Sequence, residues 1–321
     1  MKQLKFMDFC AGIGGGRLGL EKAGCVCMGF SEIMASSIKT YNVLHNTKDE
    51  KNFGDLTKIN PKELPNFDIM LAGFPCQAFS IIGQRKGFED ERGQIIYHLI
   101  KILKHQKVPY FILENVKGLI NHDKGKTLIT IIKALEDVGY YVGWKPLNSV
   151  DYGVPQMRER IYFIGIKKDK INSGKYKWPE QVPLPKIERY LSDDNSSILN
   201  INDKGFQKYL SNKYNKNNHD LNKILSEDYL VIDTRQSDLR IYRNKVPTLR
   251  TGRHGILYVK SGKIKKLSGF ESLLLQGFDK ERAKKASEKI VDSKLLSQAG
   301  NAMTVNVIEL LGKSLIEYIG R

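Results

Sequence analysis

The chain has 321 residues, 41% of them hydrophobic, enough for one substantial core in a large domain or in a large and a smaller one. Fifty-two Lys and Arg oppose thirty-five Asp and Glu, a formal charge of +17, and no apolar run approaches the roughly 20 residues of a bilayer span. With no signal-peptide pattern at the start, these features argue against membrane and secreted classes and for a cytoplasmic protein with a phosphate-rich partner. The bland alternative is a generally basic, solubilising surface. Cys10, Cys25, Cys27 and Cys76 show neither paired spacing nor a neighbouring His cluster, so no metal and no disulfide framework is expected.

The first half alternates short apolar runs with amphipathic segments, the pattern of an α/β domain with a Rossmann-like, mainly parallel sheet. Leu4 to Phe9 reads as the first strand, followed by a Gly-rich turn and a helix around Leu18 to Ala23. Val26 to Ser31, Ile69 to Ala72, Phe111 to Leu113 and Ile161 to Ile166 are further strands. Between them, Ile95, Ile96, Leu99, Ile100 and Leu103 recur at helical spacing, as do Leu128, Ile131, Ile132, Leu135 and Val138; both stripes are expected to face the core. From about Lys167 the texture turns to Lys, Asn, Asp and Ser, and Asn195 to Leu225 reads as loop. Tyr229 to Ile232 and Gly255 to Val259 read as strands, and Val305 to Ile319 as an amphipathic helix. The division expected is residues 1–183 plus 291–321 as the cofactor-binding catalytic domain, with 184–290 as a smaller, irregular domain.

Chemistry gathers at the strand ends. Asp8 to Gly16 joins the first strand to the first helix, where glycines let a nucleotide-like cofactor approach the backbone. Gly14, Gly16 and Gly19 fit the dinucleotide pattern, so a nicotinamide enzyme is a rival reading. Glu32, at the end of the second strand, is placed to accept from ribose hydroxyls and Asp55 to reach an adenine amino group, although an isolated acid is more often a solvated loop residue. Gly73-Phe74-Pro75-Cys76-Gln77-Ala78-Phe79-Ser80 follows an apolar strand, which puts Cys76 at a C-terminal sheet edge, whereas a lone Cys is usually a small core residue. Glu114-Asn115-Val116 ends another strand, and Gln156-Met157-Arg158-Glu159-Arg160 precedes the next.

Together with Gln298-Ala299-Gly300-Asn301-Ala302, these runs resemble, in order and over almost the whole chain, the DNA cytosine-5 methyltransferase family of the bacterial restriction-modification type. The resemblance implies S-adenosyl-L-methionine as cofactor and S-adenosyl-L-homocysteine as product. It implies that Cys76 adds to carbon 6 of cytosine, that Glu114 handles ring nitrogen 3 if its site keeps it protonated, and that Arg158 and Arg160 hold the base oxygen and nearby groups. Asn115 is read as an organiser of the active-site loop. The cofactor pocket implied comprises Cys10, Ala11, Gly12, Ile13, Gly14, Gly15, Glu32, Ile33, Asp55, Leu56, Pro75, Ile95, Asn301 and Ala302. Three positions depart from the family pattern: Cys10 stands where an aromatic residue is common, Ile33 where some members have Trp, and Ala302 where Ser is frequent.

A target cytosine inside duplex DNA must be flipped outward, and phosphate contacts must hold the opened helix. From Arg235 to Lys266 ten basic residues stand against a single acid, Asp238. Val246-Pro247-Thr248-Leu249-Arg250 resembles the family's Thr-Leu element of the target-recognition domain. Gln77, Ser80, Arg85, Thr248, Arg240, Arg243, Arg250 and Arg253 are the expected DNA-binding residues; the arginines suit either guanine edges or phosphates. The partners expected are double-stranded DNA, with the protein nucleoid-associated, and a cognate restriction endonuclease; no membrane is expected, and the protein is expected to be monomeric. The rivals are an RNA (tRNA) cytosine-5 methyltransferase on the same scaffold and a catalytically silent DNA-binding protein.

Overall fold

In the computed structural model, which describes residues 3–75, 95–194, 196–211, 219–236 and 238–320, the first apolar run forms β1 (Lys5–Phe9). Phe6 through Phe9 are all buried, as expected of a strand covered on both faces. Helix α1 (Gly15–Lys22) leads to β2 (Val26–Ser31), α2 (Ala35–His45) and β3 (Ile69–Gly73). Then come α3 (Ile95–Gln106), β4 (Tyr110–Val116), α4 (Lys126–Asp137), β5 (Tyr140–Asn148), β6 (Gln156–Met157) and β7 (Glu159–Lys167).

The chain divides into two compact units, 1–148 with 159–181 and 303–321, and 149–158 with 182–302. In the first, six strands lie in the order β2-β1-β3-β4-β7-β5, parallel except for β7, which runs against both neighbours. The order reverses at β1, so the ends of β1 and β3 flank the switch point at which open α/β sheets bind ligands. Phe111, Leu113, Ile161 and Phe163 form one core with Leu99 and Leu103 of α3 and Leu128, Ile131 and Leu135 of α4. Val138, read with that stripe, lies at the helix C-cap instead.

Two elements here escaped the sequence reading. Strand β5 is an edge strand with an interrupted burial pattern and carries Gly143 and Pro146, which mask its period. Helix α2 buries only Thr40, Tyr41 and Leu44, too few apolar positions to announce it.

The second unit continues with α5 (Lys204–Leu210), α6 (Leu221–Leu225), β8 (Val231–Asp233), β9 (Arg240–Tyr242), β10 (Val246–Pro247), β11 (Ile256–Lys260) and β12 (Lys263–Lys266). It ends in α7 (Gly269–Leu274), α8 (Lys280–Lys289) and α9 (Asp292–Asn301). Strands β12-β11-β8-β9 form an antiparallel sheet, and β10 pairs in parallel with β6.

Alternate residues serve two cores: Val231 and Tyr258 join Val246 and Leu249, while Ile232, Leu257 and Val259 join Phe206 and Ile224. Phe206 and Ile224 belong to α5 and α6, so the stretch from Asn195 to Leu225 is not loop throughout. Asp203 and Asp220 cap the two helices, accepting from Gly205 and Phe206 and from Asn222. The run from Asn212 to Asn218 lies outside the described residues. Helix α8 escaped notice because only Ala283 and Ala286 are buried in an otherwise charged sequence.

Helix α10 (Val305–Ile319) returns to the first unit and packs on α1. A methyl group at Gly15 would strike the Met303 carbonyl, and one at Gly19 would meet Ile308 and the Val305 carbonyl. Gly19, the last glycine of the dinucleotide-like pattern, therefore lets two helices approach. Among the described residues no helix is long and apolar enough to cross a membrane.

Candidate active site

The turn after β1 is built from left-handed backbone. Cys10, Gly12 and Gly14 have φ of 52°, 57° and 78°. At Gly12 a side chain would project into open space, so the crown of the turn leaves room for a ligand. The Ala11 amide donates to the Ser31 carbonyl (3.0 Å) and the Gly14 amide to the Ala11 carbonyl (2.9 Å). Ala11, Ile13 and Leu56 are buried; Gly15 opens α1, whose first-turn amides are the usual orphan donors of a helix start.

Glu32 sits directly after β2. Its Oε1 accepts from the amides of Ile33 (2.9 Å) and Met34 (2.8 Å), and its Oε2 from the amide of Gly12 (2.8 Å). Asn52 bridges the Glu32 backbone and the Gly54 amide, which fixes the main chain that carries the carboxylate. An ionised carboxylate has about four lone-pair sites, and among the described residues Oε2 accepts from the Gly12 amide alone, so acceptor capacity for a hydroxyl remains. Asp55 accepts from the Thr57 amide (2.9 Å) and hydroxyl (2.8 Å) through Oδ1. That hydroxyl bond, followed by the Thr57 amide and Lys58, holds its carboxyl below the usual range. Ile33 and Met34 are 67% and 58% exposed, an apolar surface beside two ordered acids. Burial, then the carboxylates of Glu32, Asp8 and Asp55, push the Cys10 thiol up to about 12.

A second polar group forms where β3 and β4 end and the antiparallel β7 begins. Glu114 lies opposite Gly73 on one side and Tyr162 on the other. It is 9% exposed, and its Oε1 lies 3.2 Å from Nε of Arg160. Arg160 also donates to the Glu159 carbonyl (2.8 Å). Asn115 is buried and donates to the Phe74 carbonyl (3.0 Å), while its own oxygen accepts from the Val116 amide (2.8 Å). The chain is thereby held two residues before Cys76. Pro75 is exposed and Ile95 half-buried. Cys76, Gln77, Ser80 and Arg85 lie outside the described residues.

Arg158, paired with Arg160 in the sequence reading, belongs to the second unit. It is 2% exposed, and its guanidinium donates to the carbonyls of Leu249 (3.4 Å), Gly300 (3.1 Å) and Ala302 (2.8 Å). Those bonds hold the guanidinium on main-chain carbonyls of the same unit that are distant in sequence. The fully buried Gln156, first residue of the same run, accepts from the Leu249 amide (3.1 Å) and donates to the Leu275 carbonyl (2.8 Å). Thr248 donates its hydroxyl to the Met157 carbonyl. Asn301 accepts from the Thr251 hydroxyl at 2.6 Å, and Ala302 is buried.

The basic segment divides in two. Arg235 is ion-paired with Asp233 (2.7 Å), Arg240 with Asp238 (3.0 Å), Arg243 with Glu227 (2.7 Å) and Lys260 with Asp194 (2.8 Å). Lys265 donates to the carbonyls of Asp193 and Asp194. Arg250 and Arg253 are exposed and, among the described residues, have no ion-pair partner. Of the four arginines of this segment expected to touch DNA, these two offer unpaired charge among the described residues.

Fold and site define an open-sheet α/β protein with a glycine-rich turn at the switch point and a carboxylate–guanidinium pair at the neighbouring strand ends. Residues 4–317 match the family model of C-5 cytosine-specific DNA methylases, and the chain belongs to that family. The Type II methyltransferase M.HaeII of Haemophilus aegyptius is 36% identical over 99% of this chain and 95% of its own length. M.DsaV of Dactylococcopsis salina, likewise a Type II methyltransferase, is 33% identical over 99% and 87%. M.NlaIV of Neisseria lactamica is 44% identical, but over 60% of this chain, and the match spans about half of that relative (47%). The fold is similar to that of Spodoptera frugiperda DNMT2, with a TM-score of 0.70 and 17% identity over 99% of this chain and 100% of the other.

Proposed function

We propose that the protein transfers a methyl group from S-adenosyl-L-methionine to carbon 5 of cytosine in double-stranded DNA, with Cys76 as nucleophile. The observation that carries this reading is the Glu114–Arg160 pair (3.2 Å) beside the Phe74 carbonyl held by Asn115. It puts an acid, a cation and the approach to a cysteine at adjoining strand ends. A cofactor with an adenosine moiety suits the open crown at Gly12, the remaining acceptor capacity of Glu32 and Asp55, and the exposed Ile33. S-adenosylmethionine supplies an electrophilic methyl group, and the chain's own residues do the rest.

The Cys76 thiolate adds to carbon 6 of a cytosine turned out of the helix, and the displaced π electrons make carbon 5 nucleophilic. Glu114 delivers a proton to nitrogen 3, and Arg160 donates to the base oxygen where negative charge develops. After methylation, carbon 5 loses its proton to water, the electron pair re-forms the ring double bond, the thiolate leaves, and nitrogen 3 returns its proton to Glu114. Thr248, Arg250 and Arg253 face the DNA backbone or bases in this reading. The protein works in the cytoplasm, and a restriction endonuclease directed at the same site is its expected partner.

The test is incubation of the full chain with labelled S-adenosylmethionine and a set of duplexes carrying 5-fluorocytosine. Fluorine cannot leave as a proton does, so a covalent adduct should accumulate with one duplex sequence and vanish in Cys76→Ser. Absence of an adduct with every duplex, while folded RNA accepts methyl groups, would move the assignment to RNA.

A further inference from the structure

We infer that His45 is a positioning residue for the cofactor turn, a role that rests on the reading of that turn as the S-adenosylmethionine site. His45 closes α2, and its Nε2 lies 3.1 Å from the Ile13 carbonyl oxygen. A carbonyl can only accept, so Nε2 carries the proton and the ring donates. The other end of the same peptide is also held, since the Gly14 amide donates to the Ala11 carbonyl at 2.9 Å. The Ile13–Gly14 peptide plane is therefore fixed from both sides.

The ring does a second job. A methyl group on Gly14 would run into Nε2 and the neighbouring ring carbon of His45, so ring and glycine fill one space. His45 in turn rests on Tyr41, with ring centroids 4.7 Å apart, and Tyr41 stacks on Phe30 at 4.0 Å. Tyr41 also accepts from Arg17 (3.3 Å), whose guanidinium pairs with Glu50 and with Glu21. The segment from α2 to Asn52 thus holds the turn and its flanks in three places: at Ile13 through His45, at α1 through Glu50, and, through Asn52, at Glu32, whose carboxylate accepts from Gly12. Of these, only the His45 contact fixes a peptide plane within the turn itself by a side-chain donor on α2. Removing it leaves the Ile13–Gly14 peptide held only through the Gly14 amide, and the cost of ordering its carbonyl end is then charged against ligand binding.

The experiment measures S-adenosylmethionine and S-adenosylhomocysteine affinity of the full chain by calorimetry, alongside ligand-free thermal unfolding and steady-state methylation. His45→Phe keeps a ring on Tyr41 but has no donor; His45→Ala lacks both; His45→Gln returns an amide donor at similar reach. The expected result is an affinity loss of about fivefold to tenfold in His45→Phe and His45→Ala, the scale of one neutral hydrogen bond. KM for the cofactor should rise with kcat nearly unchanged, and His45→Gln should recover most of the affinity. Wild-type affinity in either donor-free variant that retains its fold would overturn the proposal, as would a fall in kcat at constant KM. Failure of the wild-type chain to bind S-adenosylmethionine would instead remove the reading of the turn beneath it.

Discussion

At the scale of single residues, burial sets the charge of Asp8 and of three thiols. Asp8 is buried, and among the described residues neither carboxylate oxygen has a hydrogen-bond partner. Burial raises its pKa well above the ordinary value, against the opposing pull of Arg17. A raised carboxyl is neutral in the folded protein over a range where it ionises in the unfolded chain. Its contribution is complete below the unfolded pKa of about 3.9 and is lost as pH rises towards the folded value. Asp8→Asn should therefore flatten the decline of urea-unfolding stability with pH above about 4; a decline as steep as that of the wild type would count against this account.

Burial is the first cause that pushes up the thiols of Cys10, Cys25 and Cys27, to about 12, 11 and 12. Iodoacetamide at pH 8 should accordingly leave these three largely unmodified, with the label on Cys76, as peptide mass spectrometry would read. The Glu114–Arg160 pair yields a third expectation. Glu114→Gln keeps the shape of the side chain but loses the transferable proton, so turnover should fall by roughly 100-fold or more at unchanged cofactor affinity.

At the scale of elements, Arg158 ties the strand before β7 to the end of α9 and to the Thr248-Leu249 step. Arg158→Ala would strand the carbonyls of Leu249, Gly300 and Ala302 in a buried place. The expected cost is about 2–4 kcal/mol in urea unfolding, the range of a broken buried network. A catalytic role at the base would instead leave stability intact and reduce turnover. The α1–α10 contact is similarly specific: at Gly19 a methyl group has Ile308 on one side and a main-chain carbonyl on the other.

At the scale of the whole molecule, the charge of +17 overstates what DNA can meet. Arg235, Arg240, Arg243 and Lys260 are already paired with acids. Arg253→Ala should then lower the slope of log affinity for duplex DNA against log salt by about one, whereas Arg240→Ala should change it less. Equal effects of the two substitutions would show that the Asp238 pair opens on binding and frees Arg240 for phosphate.

The α/β class, the chain order of β1, β2, β3, β4 and β7, the last helix and the polar runs at strand ends were legible in the amino-acid order. Each is a local signal: an apolar run, a helical stripe, a glycine turn or a short polar run. Only the tertiary structure separated Arg158 from Arg160, because two residues apart on one chain they meet different surroundings, three carbonyls in one case and a carboxylate in the other. It alone divided the arginines into paired and free, and it alone brought His45 to Ile13, 32 residues away. It also supplied β5, α2 and α8, whose packing partners lie elsewhere in the chain and whose own residues carry little apolar pattern. Partnership through space, rather than composition, decided those roles.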